Sequence, residues 1–372
     1  MSKKLLFVLG TRPEAIKLAP IILAIRKQKY FKCFVCNTEQ QKELSNQTLG
    51  FFGIIPNFNL DVMSHNQTLD LVQERIQRRL SELFDKYNFD GVVVQGDTMT
   101  VLASTLSAFY RKIPVFHVEA GLRSNNLMEP FPEEGIRQMV SRVASLHFAP
   151  TAIAKSNLIS EAVEDDKIRV TGNTVIDALF CLDPNEKDKY KKALVNLGVD
   201  FSRRIVLITA HRRENHGVRL QKILAAINNL SEKFHDVLFV IPVHPNPNVK
   251  SCVYEKLGGR ENIILLDPLD YPAIVLLMQS ASLILTDSGG IQEEAPTFAV
   301  PILVLRHETE RLEGVQAGFA KLVGTDTDEI EKEATKVLRF GAEHLVDIQN
   351  PYGDGKASGR IVKSLMEYFQ AQ

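Results

Sequence analysis

The sequence predicts an α/β protein built from two doubly wound, parallel-sheet domains. Three observations carry that reading. Short apolar runs suit strands buried on both faces, longer amphipathic stretches separate them, and the alternation recurs in both halves of the chain. At 372 residues the chain also exceeds what one ordinary core accommodates.

The strand-like runs of the first half are residues 5–9, 33–36, 91–94, 114–118, 146–149 and 168–171. Those of the second half are 205–209, 237–243, 263–266, 283–285, 301–305 and 322–324. They are four to seven residues long for the most part and rich in Val, Ile and Leu. Between them lie segments with helical spacing, such as Leu69, Val72, Ile76, Leu80 and Leu83 interleaved with Gln, Glu and Arg. A charged, loop-like stretch starting at Asp183 places a seam between 173 and 200. The glycine-rich turn that starts at Asn350 precedes a last amphipathic helix over 358–369. The expected division is residues 1–172 for the first domain, with the terminal segment 356–372 packing back on it, and 173–355 for the second.

Composition narrows the function classes. Lys plus Arg is 44 against 45 Asp plus Glu, a formal charge of −1, which argues against a dedicated nucleic-acid binder. Hydrophobic residues make up 45%, a globular value. No apolar stretch reaches the roughly 20 residues that a membrane span needs. The N-terminus runs into an apolar segment too short for a signal peptide, so a cytoplasmic location is expected. Cys33 and Cys36 have a CxxC spacing, but no second pair follows and both lie in a strand-like run. They read as buried thiols rather than metal ligands.

In open parallel sheets, ligands bind beyond the carboxyl ends of the strands. Six runs of this chain end in charged or phosphate-friendly groups. These are Gly10-Thr-Arg-Pro-Glu-Ala-Ile-Lys17, Gln95-Gly-Asp97, Glu119-Ala-Gly-Leu-Arg123, Ala210-His-Arg-Arg-Glu214, His244-Pro-Asn246 and Thr286-Asp-Ser-Gly-Gly290. Together they describe a crevice lined by two facing sheets. Ser288, Gly289 and Gly290 open a helix whose N-terminus suits a pyrophosphate, and a carboxylate one turn on suits ribose hydroxyls. Backbone amides after Gly10, with Arg12 and Lys17, favour an anion or form a solvated helix start. Asp97, Glu119 and Glu133 can serve as an acid and a base at one pH if their surroundings differ. His211, Arg212 and Arg213 can hold a leaving phosphate. There is no GxGxxG, P-loop, GxSxG or HExxH, and His211 and His244 form no metal-ligand pattern.

These motifs, with His117-Val-Glu-Ala-Gly-Leu-Arg, Pro132-Glu-Glu, Thr171-Gly-Asn-Thr-Val-Ile-Asp and Thr286-Asp-Ser-Gly-Gly-Ile-Gln-Glu-Glu-Ala-Pro, resemble the bacterial non-hydrolysing UDP-N-acetylglucosamine 2-epimerases. The resemblance runs from Lys3 to about Arg360. It implies two Rossmann-like domains facing a central cleft as in GT-B glycosyltransferases, a homodimer, and no cofactor, neither metal nor nicotinamide. It implies interconversion of UDP-N-acetylglucosamine and UDP-N-acetylmannosamine through loss of UDP to a 2-acetamidoglucal and re-addition. By motif, Asp97, Glu119, Glu133 and His211 match the catalytic residues. Arg12, Lys17, Ser288, Gly289, Gly290, Glu294 and Arg311 match the UDP-sugar contacts. Gln40, Glu43, Arg75, Arg212 and His244 match a pocket where many members bind a second UDP-N-acetylglucosamine as activator.

Several positions depart from the family pattern. The usual His-Gly-Asp reads Gln95-Gly-Asp97, and Gln-His-Arg reads Gln40-Gln41-Lys42. Thr-Glu-Arg-Pro-Glu reads Thr309-Glu-Arg-Leu-Glu313, and a Gln and a Phe expected near the uracil are Leu269 and Ile274. A modified UDP-N-acetylhexosamine is therefore an alternative substrate. A GT-B glycosyltransferase with a UDP-sugar donor, or a non-catalytic UDP-sugar sensor, would share the fold. Neither needs the three carboxylates with His211.

Overall fold

A computed structural model describes residues 2–64, 67–182, 187–210 and 212–371. Part of the expected seam, residues 183–186, lies outside the described residues. The chain divides into two compact units, one of residues 1–181 with 352–372 and one of residues 182–351.

In the first unit the strands are β1 (Lys3–Leu9), β2 (Phe31–Asn37), β3 (Phe58–Asn59), β4 (Gly91–Gln95), β5 (Val115–Val118), β6 (Leu146–Ala149) and β7 (Ile168–Val170). They form one parallel sheet in the order β3-β2-β1-β4-β5-β6-β7. Alternate residues of β1 explain why its run is continuously apolar. Leu6 and Val8 face the helices Leu69–Lys86 and Met99–Phe109, while Leu5, Phe7 and Leu9 are equally buried on the opposite face. Val72, Ile76, Leu80 and Leu83 supply the buried stripe of Leu69–Lys86, and Leu69 itself stays exposed. The two-residue β3 has no apolar signature, and the sequence gives no sign of it.

The second unit contains β8 (Arg204–Thr209), β9 (Val237–Pro242), β10 (Ile263–Leu266), β11 (Ala281–Thr286), β12 (Ile302–Val304) and β13 (Ala320–Leu322). These again form a parallel sheet, ordered β10-β9-β8-β11-β12-β13. Val206, Ile208, Phe239 and Ile241 pack there against Ile223, Ile227 and Leu230 of one helix and Ile330 and Leu338 of another. The last strand comes two residues before the expected 322–324, because it pairs by Ala320 to Leu322 and Gly324 already turns with φ 63°.

The first unit extends to residue 181 rather than stopping at 172. Helix Thr174–Phe180 belongs to it, because Asp177 accepts hydrogen bonds from the backbone N–H of Ala357 (3.1 Å) and Ser358 (2.7 Å). That carboxylate caps the final helix Ala357–Gln370, whose Phe369 packs edge-on against Phe31 and Phe116.

Cys33 and Cys36 are an odd number of residues apart on β2 and so face opposite sides of the sheet. Burial pushes the Cys33 thiol up to about 11 and Cys36 higher still. Among the described residues no helix is long and apolar enough to cross a membrane.

Candidate active site

Each sheet reverses its winding once, between β1 and β4 in the first unit and between β8 and β11 in the second. Such a switch point splays the connections apart and opens a crevice at the strands' carboxyl ends. Most of the residues singled out in the sequence lie at these two places.

At the first switch point, Gly10 follows β1. A side chain there would meet the Thr38 hydroxyl at 1.9 Å and the Thr100 hydroxyl at 2.7 Å, so only glycine fits. Helix Arg12–Arg26 follows, started by Thr11 and Pro13. The two amides that lead into it do not wait for a ligand anion. The Glu14 carboxylate reaches back to the N–H groups of Gly10 (2.7 Å) and Thr11 (2.8 Å) and also accepts from the Thr98 hydroxyl. Burial pushes Glu14 up to about 7, against the pull of those donors. Arg12 stays half-buried, its backbone N–H on Gln41 at 3.1 Å.

One turn further on, Lys17 points into the interior and pairs with Glu119 beyond β5. Both side chains are less than a tenth exposed. The other oxygen of Glu119 accepts from the Gln95 amide at the end of β4, and Asn173 approaches the Lys17-bonded oxygen at 3.4 Å. Glu119 itself has φ 64°, the left-handed region that costs a non-glycine residue energy and recurs at functional sites. Two residues on, Gly121 has φ 92°, and an added side chain would sit 2.2 Å from the Ala154 carbonyl.

Asp97 follows Gln95 and Gly96. Arg137 donates to it through Nε and Nη2, each at 2.7 Å. Arg137 lies on the buried face of helix Glu133–Val143 beside Ile136 and Val140, and it also reaches Glu134 at 3.3 Å. Glu133 is the first residue of that helix and is half-buried. The Gly96 carbonyl accepts from His117 Nε2 at 2.8 Å. Burial holds His117 down to about 4, so its imidazole is neutral and braces the turn that carries Asp97.

At the second switch point, Ser288 occupies the N-cap position of the short helix Gly289–Glu294, without a side-chain hydrogen bond to it. Gly289 is there for Arg311: a side chain on it would come within 2.6 Å of the guanidinium carbon. Arg311 is buried, with Nε at 3.0 Å and Nη2 at 2.9 Å from Glu293 and with Nη1 on Glu310. Glu310 in turn binds Arg306 at 3.0 Å, and Arg306 binds Glu214 at 2.7 Å. Glu294, expected to face the ribose, is buried, and a side chain built on Gly290 would lie 4.0 Å from its carboxylate. Asp287 accepts from the Arg212 backbone and from the Asn215 side chain, both at 2.9 Å, which pins the turn after β8. His211, expected at the head of that turn, lies outside the described residues.

The residues expected at the activator pocket divide between the two units. Gln40 is half-buried and accepts from Thr100 at 2.9 Å, and Glu43 is exposed on the next helix. Arg75 braces the loop after β3 through Val62, Ser64 and Gln67, beside a surface cavity of about 230 Å³ lined also by Asp61, Arg78 and Arg79. Arg212 is half-buried and His244 exposed, both in the second unit. Among the described residues no group of three or more His, Cys, Asp or Glu is placed to hold a metal ion.

Sequence reasoning missed Gln95, Arg137, Asn173 and Glu293 as partners. Arg137 had a signal, a cation on the apolar stripe of its helix. Gln95 was marked only as a strand end and as a departure from the family pattern, and Asn173 and Glu293 sit on buried positions whose partners the pattern does not show.

Comparison with known proteins shows the family of the chain and its fold. Residues 23–366 match the family profile described as UDP-N-acetylglucosamine 2-epimerase. The UDP-N-acetylglucosamine 2-epimerase of Escherichia coli strain K12 is 44% identical over 97% of this chain and 98% of its own length. The Neisseria meningitidis UDP-GlcNAc 2-epimerase, solved bound to UDP-GlcNAc, superposes with a TM-score of 0.93 at 43% identity, covering 98% of this chain and 100% of that one. The Methanocaldococcus jannaschii enzyme, solved with UDP-GlcNAc and UDP, gives 0.85 at 36% identity, covering 98% and 99%. The family profile covers most of the chain and reaches into both units, and the chain belongs to the UDP-N-acetylglucosamine 2-epimerase family.

Proposed function

We propose that this protein interconverts UDP-N-acetylglucosamine and UDP-N-acetylmannosamine without hydrolysing either. The observation that carries the reading is the buried Lys17–Glu119 pair, with Asp97 following the strand β4 that neighbours β5, in a chain whose relatives bind UDP-GlcNAc. A carboxylate takes the C2 proton. The C2–H electrons form the C1–C2 double bond, and the C1–O bond breaks with its electrons going to the UDP β-phosphate. The 2-acetamidoglucal then turns its other face to a second proton carrier. C2 takes a proton there while the phosphate oxygen returns to C1.

The C2 hydrogen is poorly acidic, so stabilising the departing diphosphate matters as much as the base. In this reading the second unit binds UDP through Ser288, Gly289, Gly290, Glu294 and Arg311, and His211 and Arg212 add positive charge at the leaving phosphate. The first unit supplies Asp97, Glu119 and Glu133 as proton carriers, with Arg12 and Lys17 on the sugar nucleotide. The working form is a cytoplasmic homodimer, and a second UDP-N-acetylglucosamine acts as activator near Gln40, Glu43, Arg75, Arg212 and His244.

The test is proton NMR of purified protein given UDP-N-acetylglucosamine alone. The reading expects the anomeric signal of the manno isomer to grow to a constant ratio, starting from either isomer. A protein that needs an added acceptor, or that releases free sugar, would be a transferase or a hydrolase instead.

A further inference from the structure

Gln95 is almost fully buried at the end of β4, and its one side-chain hydrogen bond among the described residues is the donation from Nε2 to Glu119. Its other amide atom, Oε1, is buried and meets no donor there. A side chain that served only to fill the core would not leave a carbonyl oxygen stranded away from water, because that desolvation is uncompensated. Turning the amide over would bring Oε1 against the Glu119 carboxylate, oxygen to oxygen. The orientation is therefore dictated by Glu119. Lys17 and Asn173 approach one carboxylate oxygen, and Gln95 takes the other. Two donors on opposite oxygens fix the plane of the carboxylate, on a residue whose backbone already sits at φ 64°.

We infer that Gln95 is the positioning residue of Glu119, orienting the carboxylate through a donor that does not titrate. The inference rests on Glu119 being a proton carrier in the proposed reaction. Lys17 and Asn173 approach one oxygen; the Gln95 amide adds a donor on the other and keeps that donor at every pH at which the protein folds.

The experiment compares kcat, KM and the pH profile of kcat for wild type, Gln95→Leu, Gln95→Glu and Glu119→Gln, with UDP-N-acetylglucosamine as substrate and thermal melts to confirm folding. Gln95→Leu removes the donor and is expected to lower kcat roughly tenfold to a hundredfold, with KM little changed. Gln95→Glu keeps the shape but sets a carboxylate against a carboxylate. Its kcat profile is expected to gain an ionisation absent from wild type, with turnover falling further as the pair loses its shared proton. Should Gln95→Leu not fold, the pH profile of Gln95→Glu decides alone. Wild-type kcat and profile in both Gln95 variants, alongside collapse in Glu119→Gln, would overturn the inference and leave the epimerase reading standing. Full turnover by Glu119→Gln would remove the catalytic role of Glu119, and the inference with it.

Discussion

Lys17 and Glu119 neutralise each other where neither reaches much water. Removing one partner of a buried pair costs about 3–5 kcal/mol, mostly because the other charge is left stranded. Lys17→Met is therefore expected to lower unfolding free energy by about that amount in denaturant titrations and to abolish turnover. The double variant Lys17→Met with Glu119→Gln should regain most of the stability and none of the activity. Equal stability of Lys17→Met and wild type would contradict the pair's burial. Acid stability has its own sign. Burial holds His117 down to about 4 and His147 to about 3, so below the ordinary 6.5 the unfolded chain takes up protons that the folded chain refuses. Stability then falls as pH drops from 6.5 to 4. Glu14, raised to about 7, keeps a proton in the folded chain between 4.5 and 7 and contributes with the opposite sign. Melting temperature should thus fall on acidification, and more steeply in Glu14→Gln. A flat profile would contradict the burial of the two imidazoles. At this scale the sequence showed which residue types stood at strand ends. It did not show Gln95, Asn173 or Glu293, whose roles depend on partners 24, 54 and 18 positions away along the chain.

Strand ends and the turns that follow them position the chemistry. The turn after β11 illustrates how. Gly289 leaves room for the Arg311 guanidinium, which Glu293 and Glu310 hold in place. Gly289→Ala would put a methyl group 2.6 Å from the guanidinium carbon. The expected result is a fold that survives, since the clash is with a side chain, and UDP affinity at least roughly tenfold weaker by calorimetry, about 1.4 kcal/mol. Unchanged affinity would place the diphosphate elsewhere. The turn itself was legible, because two glycines after a buried run have few other uses. The turn at Gly10 was only half legible: the amides read as an anion site are taken by Glu14, three residues into the following helix and in the position of a capping partner. The strands rich in Val, Ile and Leu were plain from their runs. β3 was not, because two residues on a sheet edge carry no periodicity.

The whole molecule is two units of one architecture, the second inserted as a continuous segment into the first. Residues 182–351 contain a complete sheet and its covering helices, including Val218–Lys233 and Thr327–Phe340. Expressed alone, that segment is expected to melt in one cooperative transition. Truncation at 351 should instead destabilise the first unit, which would lose helix Ala357–Gln370 and the Phe369 contacts. Repeated strand–helix alternation made the two domains legible in advance. The boundary at 181 was not, because Asp177 joins the first unit through a helix 180 residues away in sequence. Above all these details stands the claim that a C2 hydrogen leaves and returns. Its most direct measurement is mass and NMR analysis of UDP-N-acetylhexosamine recovered after incubation with the protein in deuterium oxide, with no acceptor present. The account predicts one deuterium at C2 in both the gluco and manno isomers; recovery of a manno isomer that keeps its original C2 hydrogen would contradict it.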